Sequence, residues 1–390
     1  MRMQVLISDE YGIAQAAAVI KNGGLVALPT ETVYGLGADA FNPNAVANVY
    51  ATKGRPGDNP LILHIADKTV LDDIAADIPA YAHALADKFW PGPLTLVVRK
   101  KKGLPDWLGG HPQGVGYGGT HSGSTTQTVG VRVSAHPVMQ SVIRESGCII
   151  AAPSANVAGK PSPTCAAHIV IDYESAELTP DLLLDGGTVD VGVESTVVDV
   201  TASTPIILRH GVITAEMIYE TIRGIPQEAP ALPLQSNDEP NELDDLARNA
   251  PRAPGMKYRH YAPVAPMTLL SGSARDVASY ITTQIVSEID AHIGVMVSSQ
   301  VREYMDKTWP LMAVQTDAAS LYTPLVSVLP LGDDLPDIAR NLFANLRRFD
   351  ELGVDIILAE ALETDGMGAA IMDRMTKAAE GRIMKLGVNL

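Results

Sequence analysis

Short apolar runs of strand length recur along the first 225 residues, and segments with helical spacing lie between several of them. The first run, Leu25–Leu28, follows a helix-like segment at Tyr11–Asn22 and ends at Pro29. Such continuous apolar runs are typical of strands buried on both faces of a sheet. The other runs lie at Leu61–Ile65, Leu94–Val98, Val129–Val133, Cys148–Ala151, Leu182–Leu184, Thr196–Val200 and Pro205–Leu208, and further helical spacing lies at Asn44–Lys53, Ile78–Phe89 and Pro137–Ser146. The pattern predicts an α/β domain over residues 1–225.

The composition changes after this domain. Pro, Asn, Glu and Asp dominate residues 226–266, except at Ala253–Pro263, where tyrosines, a histidine and basic residues crowd together. Such a composition is typical of a linker. Helical spacing and apolar runs then alternate at Ala274–Ile289, Ile293–Val297, Leu335–Leu352 and Val354–Leu358. We therefore expect a second, smaller α/β domain with parallel strands over residues 267–390.

The overall charge limits the kinds of partner. The 390 residues contain 29 Lys and Arg against 45 Asp and Glu, so the net charge is −16, and 46% of the residues are hydrophobic. A large nucleic-acid-binding surface is not expected, because phosphate binding needs clustered Lys and Arg. The two cysteines do not suggest a disulfide framework, and the N-terminus reaches acidic residues too soon for a signal peptide. We expect a soluble cytoplasmic protein without a membrane partner.

Three polar motifs follow or adjoin the predicted strands and helices. Pro29–Gly37 holds two hydroxyls, a carboxylate and a phenol before two glycines. Lys53 and Arg55 are two residues apart, and in an extended chain such residues face one side, where both could reach a polyphosphate. Ser154 and Asn156 have the same spacing after a buried run. Ser154 lacks the Gly-x-Ser-x-Gly context of a hydrolase nucleophile, so binding is the better role.

Further polar residues suit a pocket for an anionic small molecule. Asp185-Gly-Gly-Thr and Gly192–Thr196 flank a turn, while Arg132 and Arg209 lie in or at the end of apolar runs. The segment 107–128 is rich in Gly, Ser and Thr without apolar periodicity. We expect a mobile surface loop there, and a phosphate cradle is the alternative.

Several motifs, in order along the chain, resemble the YrdC family over residues 12–225. The tail and the end of the linker resemble the long, two-domain threonylcarbamoyl-AMP synthases of that family. The motifs that carry the resemblance are Pro29–Gly37, Lys53-x-Arg55 with Asn59-Pro-Leu, Trp90–Thr95, Ala152–Asn156, Gly192–Thr196, Ala253–Pro263, Ala339–Phe343 and Gly368–Asp373. The resemblance implies an open, twisted, mixed sheet with helices, followed by a smaller Rossmann-like α/β domain.

The resemblance also implies a reaction. L-Threonine, bicarbonate and ATP would form threonylcarbamoyl-adenylate and pyrophosphate, and downstream tRNA threonylcarbamoyl transferase machinery would use this product to make threonylcarbamoyladenosine. Mg²⁺ would arrive with ATP, and no protein-held metal is expected, since no Cys or His cluster has ligand spacing. Attack of an N-carboxylated threonine on the α-phosphate brings two anions together, so neutralising and positioning groups matter more than a nucleophile.

Site residues are carried over by matching motif positions. Lys53 and Arg55 are the predicted catalytic residues. The positions matching L-threonine contacts are Thr30, His64, Arg132 and Ser195. The positions matching ATP contacts are Lys53, Arg55, Thr128, Ser154, Asn156, Ser162, Arg209 and Lys257. The alignment around Thr128 is affected by the glycine-rich segment before it, which departs from the shorter family form.

The sequence also leaves two other functions to be considered. The fold could serve a nucleic-acid-binding module, against which the net charge of −16 argues. A stand-alone ATP hydrolase is disfavoured because no Walker lysine loop is present. The end of the linker, with Lys257, Tyr258, His260 and Tyr261, suggests a lid over the nucleotide, anchored by the second domain; an inert linker is the alternative.

Overall fold

The computed structural model describes residues 3–105, 107–110, 128–225, 261–287, 290–315 and 325–387. These residues fall into two compact units, the first drawn from 1–158 and 162–258 and the second from 159–161 and 259–390. Most of the predicted glycine-rich loop (111–127 of 107–128) and most of the predicted linker (226–260 of 226–266) lie outside the described residues. None of the described helices is both long and apolar enough to cross a bilayer.

The first unit contains a mixed sheet of eleven strands in its described part. The strands are β1 (Gln4–Ile7), β2 (Val26–Leu28), β3 (Gly35–Asp39), β4 (Ile62–His64), β5 (Ala75–Ala76), β6 (Leu94–Lys100), β7 (Thr128–Arg132), β8 (Ile150–Ala152), β9 (Leu182–Asp185), β10 (Thr196–Asp199) and β11 (Ile206–Arg209). Their order across the sheet is β1-β9-β2-β3-β8-β4-β7-β6-β10-β11, with β5 paired to β6. The pairs β1–β9, β2–β9, β4–β7 and β6–β10 are parallel, and the others are antiparallel.

Helices pack against this sheet. The seven α-helices described in the first unit are α1 (Glu10–Lys21), α2 (Pro43–Lys53), α3 (Leu71–Ile74), α4 (Ala80–Phe89), α5 (Pro137–Ser146), α6 (Ala166–Tyr173) and α7 (Ala215–Ile222), and a 3₁₀ turn covers Lys68–Val70. Side chains of β2 alternate between two apolar clusters: Val26 and Leu28 pack with α1 and α5, whereas Ala27 packs in the larger cluster with α2 and α4. The strand is therefore buried on both faces, as its continuous apolar sequence predicts.

Local sequence signals set the ends of α2. The Asn42 side chain accepts hydrogen bonds from the backbone N–H groups of Asn44 and Ala45, and Pro43 occupies the first turn. Gly54 ends the helix with φ of +62°, a left-handed conformation that favours glycine. These caps make Lys53 the last residue of the helix, and its side chain extends from the helix end.

The second unit is built on five parallel strands among its described residues. They are β12 (Met267–Ser271), β13 (His292–Val297), β14 (Leu325–Pro330), β15 (Ile356–Glu360) and β16 (Ile383–Lys385), in the order β14-β13-β15-β12-β16. The accompanying helices are α8 (Ala274–Ser287), α9 (Ser299–Gln315), α10 (Leu335–Leu352) and α11 (Met367–Ala378). The predicted parallel α/β architecture is confirmed here.

Candidate active site

The segment after β2 forms a tight hydroxyl-supported turn. Thr30 Oγ1 donates to the Val33 carbonyl at 2.6 Å and accepts from the backbone N–H groups of Thr32 and Val33 at 3.1 and 3.2 Å. The Thr30 and Thr32 hydroxyl oxygens are 2.8 Å apart. Thr30, Glu31 and Thr32 are all buried. The turn therefore fixes two hydroxyls and one carboxylate in the interior.

Arg132, the last residue of β7, reaches this turn. Its Nη1 donates to Thr32 Oγ1 at 3.0 Å, its Nε donates to the Gly92 carbonyl at 3.2 Å, and its Nη2 lies 2.7 Å from Glu31 Oε1. Arg132 is only 4% exposed. The predicted threonine-site residues Thr30 and Arg132 are thus connected through the Thr32 hydroxyl.

His64 lies beside Arg132 because the two residues are register partners on the parallel strands β4 and β7. It is buried, and its Nδ1 atom has no hydrogen-bond partner among the described residues. Burial, together with the positive charge of Arg132, lowers the pKa of His64 to about 3, although the Glu31 carboxylate acts in the opposite direction. At neutral pH this imidazole is therefore uncharged.

Ser195 immediately precedes β10, which is two strands away from β7 in the sheet, and it is completely buried. Its hydroxyl is 2.8 Å from the Thr95 hydroxyl of β6 and accepts a hydrogen bond from Arg209 Nη2 at 3.1 Å. Arg209 also donates through Nε to the Ser195 carbonyl at 3.1 Å. A residue predicted to contact ATP is thereby hydrogen-bonded to one predicted to contact threonine.

Lys53 and the segment after β8 form a second cluster. Lys53 Nζ donates to the backbone carbonyls of Ser154 and Asn156. Ser154 Oγ donates to Asn156 Oδ1 at 2.6 Å, so these two side chains lie on the same side of the segment, as their spacing predicts. The premise that residues 53–55 are extended is wrong, because Lys53 ends α2 and Gly54 is its left-handed cap. Lys53 therefore reaches the 154–156 backbone from a helix end.

Arg55 is held within its own loop. Its guanidinium donates to the Asn59 carbonyl at 3.1 Å, to Asn59 Oδ1 at 2.8 Å and to the Pro60 carbonyl at 2.7 Å. Both Lys53 and Arg55 are buried, at 2% and 6% exposure. Burying two cationic side chains costs folding free energy unless they are hydrogen-bonded, and the contacts of Lys53 and Arg55 provide such hydrogen bonds.

The remaining predicted ATP residues have different surroundings. Ser162 is buried and donates to Glu194 Oε1 at 2.6 Å. Thr128 begins β7, whereas Arg132 ends it, so the two are separated by about 13 Å along the strand. Lys257 lies outside the described residues. Of the proposed lid residues, only Tyr261 is described, and its ring stacks on Phe343 of the second unit with centroids 5.0 Å apart.

Four polar residues of these clusters were absent from the predicted site residues: Glu31, Thr32, Thr95 and Ser134, whose hydroxyl donates to Glu31 Oε2. Glu31 and Thr32 belong to the recognised Pro29–Gly37 motif, but nothing in the sequence links them to Arg132. Ser134 lies two residues after Arg132, and this spacing could have indicated it. Among the described residues, no group of three or more His, Cys, Asp or Glu side chains could hold a metal ion.

Two family models match successive parts of the chain. The model described as "Telomere recombination" (Sua5_yciO_yrdC) matches residues 18–211, and that described as "Threonylcarbamoyl-AMP synthase, C-terminal domain" (Sua5_C) matches residues 213–380. A threonylcarbamoyl-AMP synthase from Pyrococcus abyssi is 40% identical over 97% of both chains. The chain belongs to the Sua5 family of threonylcarbamoyl-AMP synthases. The resemblance inferred from the motifs is therefore confirmed.

Other Sua5 family members give the same result. The threonylcarbamoyl-AMP synthase of Bacillus subtilis is 38% identical over 97% of this chain and 96% of its own. The crystal structure of P. abyssi Sua5 complexed with L-threonine is 38% identical, covers 99% of both chains and has a TM-score of 0.78. The predicted two-part α/β fold and enzymatic nature of this Sua5 family member are thus confirmed.

Proposed function

We propose that this enzyme joins L-threonine, bicarbonate and ATP. The threonine amine and bicarbonate form a carbamate with loss of water; a carbamate oxygen then bonds to the α-phosphorus of ATP, and pyrophosphate leaves. The products are threonylcarbamoyl-adenylate and pyrophosphate. The observation that carries the proposal is full-length similarity to a Sua5 structure complexed with L-threonine.

The threonine would bind near Thr30, His64, Arg132 and Ser195. Support comes from the buried Arg132 guanidinium, which is a suitable partner for a substrate carboxylate. His64 is neutral at working pH, so it would contribute a hydrogen bond rather than a charge. In a buried site such polar contacts are stronger than in water.

The ATP would bind near Lys53, Arg55, Ser154, Asn156, Ser162 and Arg209, with Thr128 and Lys257 as further predicted contacts. Lys53 and Arg55 would neutralise charge on the polyphosphate as the carbamate approaches. The Ser154–Asn156 hydrogen bond supports a binding role for Ser154, because its hydroxyl donates to an amide oxygen and not to a general base. Mg²⁺ would arrive on ATP and neutralise further phosphate charge.

The reaction needs an acceptor downstream. A mixed carbamic–phosphoric anhydride is an activated carbamoyl donor, so we propose that tRNA threonylcarbamoyl transferase machinery consumes it in the cytoplasm. Direct, strong nucleic-acid binding is not part of the proposal, in line with the net charge of −16.

Pyrophosphate release provides the test. Purified enzyme with ATP and Mg²⁺ should release pyrophosphate only when both L-threonine and bicarbonate are present. Release that is independent of threonine, or release of phosphate instead, would indicate a stand-alone ATP hydrolase. A salt-dependent tRNA titration distinguishes the nucleic-acid-binding alternative, for which tight binding at low salt is expected.

A further inference from the structure

Glu31 is a buried carboxylate for which neither the motifs nor the proposed reaction gives a role. Its side chain is 8% exposed. One oxygen, Oε1, lies 2.7 Å from Arg132 Nη2, and the other, Oε2, accepts a hydrogen bond from Ser134 Oγ at 2.5 Å. Oε2 is therefore hydrogen-bonded, whereas Oε1 has an ion-pair contact that lacks hydrogen-bond geometry.

The partners of Arg132 differ in charge. Gly92 and Thr32 offer neutral oxygens, whereas Glu31 is the anionic partner recorded among the described residues. A buried guanidinium is costly unless an anion and good hydrogen bonds compensate it. Each guanidinium nitrogen thus has one protein contact, of which the one at the buried Nη2 is an ion pair without hydrogen-bond geometry. Nη1 carries a second N–H that could donate to a substrate oxygen.

Ser134 connects Glu31 to a rigid element. The Ser134 hydroxyl accepts from the backbone N–H of His136, the N-cap of α5, at 3.2 Å. Glu31 is consequently held between a helix start on one side and the guanidinium on the other. A carboxylate fixed in this way limits the rotation of the guanidinium bound to it.

The carboxylate stays ionised. Burial alone would raise the pKa of Glu31, but the positive charge of Arg132 and the hydrogen bond from Ser134 outweigh burial and lower it to about 2. The ion pair is therefore present over the whole pH range in which the enzyme would be assayed.

We propose that Glu31 is a positioning residue that orients the Arg132 guanidinium toward the carboxylate of L-threonine. Ser134 acts through Glu31 by fixing its second oxygen. The inference rests on the proposed function, because it takes Arg132 as the group that binds the substrate carboxylate. If Glu31 instead competed with the substrate for Arg132, its removal would strengthen threonine binding.

The test compares Glu31→Gln, Ser134→Ala and the double variant with the wild type. Gln keeps the shape of Glu31 and removes its charge. We expect the threonine dissociation constant, measured by calorimetry, to rise about tenfold for Glu31→Gln and about threefold for Ser134→Ala. Because Ser134 acts through Glu31, the double variant should match Glu31→Gln alone. Glu303→Gln, at an exposed ion pair of α9, is the control.

Kinetic constants separate positioning from general damage. For Glu31→Gln we expect a higher KM for threonine, with kcat at saturating threonine and KM for ATP within about threefold of wild type. Circular dichroism establishes that each variant is folded. If Glu31→Gln does not fold, Ser134→Ala decides alone: an unchanged threonine dissociation constant then overturns the inference.

Three outcomes overturn the inference in distinguishable ways. Wild-type enzyme that neither binds threonine nor needs it for pyrophosphate release would refute the proposed function and this inference with it. With a threonine-dependent wild type, unchanged or tighter threonine binding by Glu31→Gln refutes positioning alone. Fully additive effects in the double variant would show that Ser134 does not act through Glu31.

Discussion

The predicted threonine-binding and ATP-binding regions differ in how their buried cationic side chains are hydrogen-bonded. Around Arg132, side chains supply two of the three contacts, from Glu31 and Thr32. Around Lys53, the contacts go to the backbone carbonyls of Ser154 and Asn156, so the ammonium ties a helix end to a loop. Substitutions near Arg132 should therefore change the orientation of its guanidinium while the backbone stays in place. Substitution of Lys53 should instead change the position of the segment at Ser154–Asn156.

Lys53→Ala is expected to have the largest effect. It removes a charge from the proposed nucleotide side and releases the Ser154–Asn156 backbone, and each charge-assisted hydrogen bond is worth about 1.5–3 kcal/mol. Turnover at saturating ATP should fall by about tenfold to 150-fold or more, and the melting temperature of the ligand-free protein should fall with it. Pyrophosphate release and a thermal melt measure the two effects.

Lys68→Ala, which removes an exposed lysine, is the matched control for that experiment. Near-normal synthesis by Lys53→Ala would refute its assignment to the nucleotide side. A large loss of turnover with an unchanged melting temperature would keep the assignment and remove the loop-anchoring role.

His64 should make the stability of the protein sensitive to acid. Its pKa is about 3 in the folded protein against an ordinary value of 6.5, so below pH 6.5 the unfolded chain takes up a proton that the folded protein does not. The stability that the protein has with a neutral His64 is therefore fully present above pH 6.5 and is lost as the pH falls toward 3. Between pH 7 and pH 5 the loss amounts to about 2 kcal/mol of unfolding free energy.

The corresponding variant is His64→Gln, studied by urea unfolding at both pH values. Its unfolding free energy should decrease by about 2 kcal/mol less than that of the wild type over this interval. His83→Gln, at an exposed position of α4, is the control. Equal pH dependence in His64→Gln and the wild type would contradict the buried, neutral state of this histidine.

The preference for threonine over serine should be a free-energy effect similar to, or smaller than, the pH effect of His64. Recognition of the carboxylate by Arg132 is common to both amino acids, so only packing of the extra methyl separates them, and one methyl is worth about 1–3 kcal/mol. We expect a higher kcat/KM for threonine, with serine still used. Equal kcat/KM values for the two amino acids would argue against a threonine pocket at Thr30, Arg132 and Ser195.

Much of the fold could be predicted because buried strands leave continuous apolar runs. The runs at Leu25–Leu28 and Leu94–Val98 correspond to β2 and β6. In contrast, β3 was not predicted, since its sequence Gly-Leu-Gly-Ala-Asp is typical of a turn. The glycine is needed there, because a Cβ at Gly37 would lie 2.8 Å from Ile150 of the neighbouring strand.

The site was only partly predictable for a related reason. Motif positions identify Lys53, Arg132 and Ser195 one by one, but contacts such as Glu31–Arg132 join residues about 100 positions apart. The same holds for Thr95 and Ser195, whose hydroxyls meet because β6 and β10 are adjacent parallel strands. Only the sheet topology brings these pairs together, and local patterns in a single sequence do not reveal the order of the strands.

The most direct measurement follows the carbon of bicarbonate. Enzyme is incubated with ¹⁴C-bicarbonate, ATP and Mg²⁺, with and without L-threonine, and the adenylate product is separated and counted. We expect labelled adenylate and an equal amount of pyrophosphate only when threonine is present. Pyrophosphate formed without label in the adenylate, or label that does not depend on threonine, would contradict this expectation.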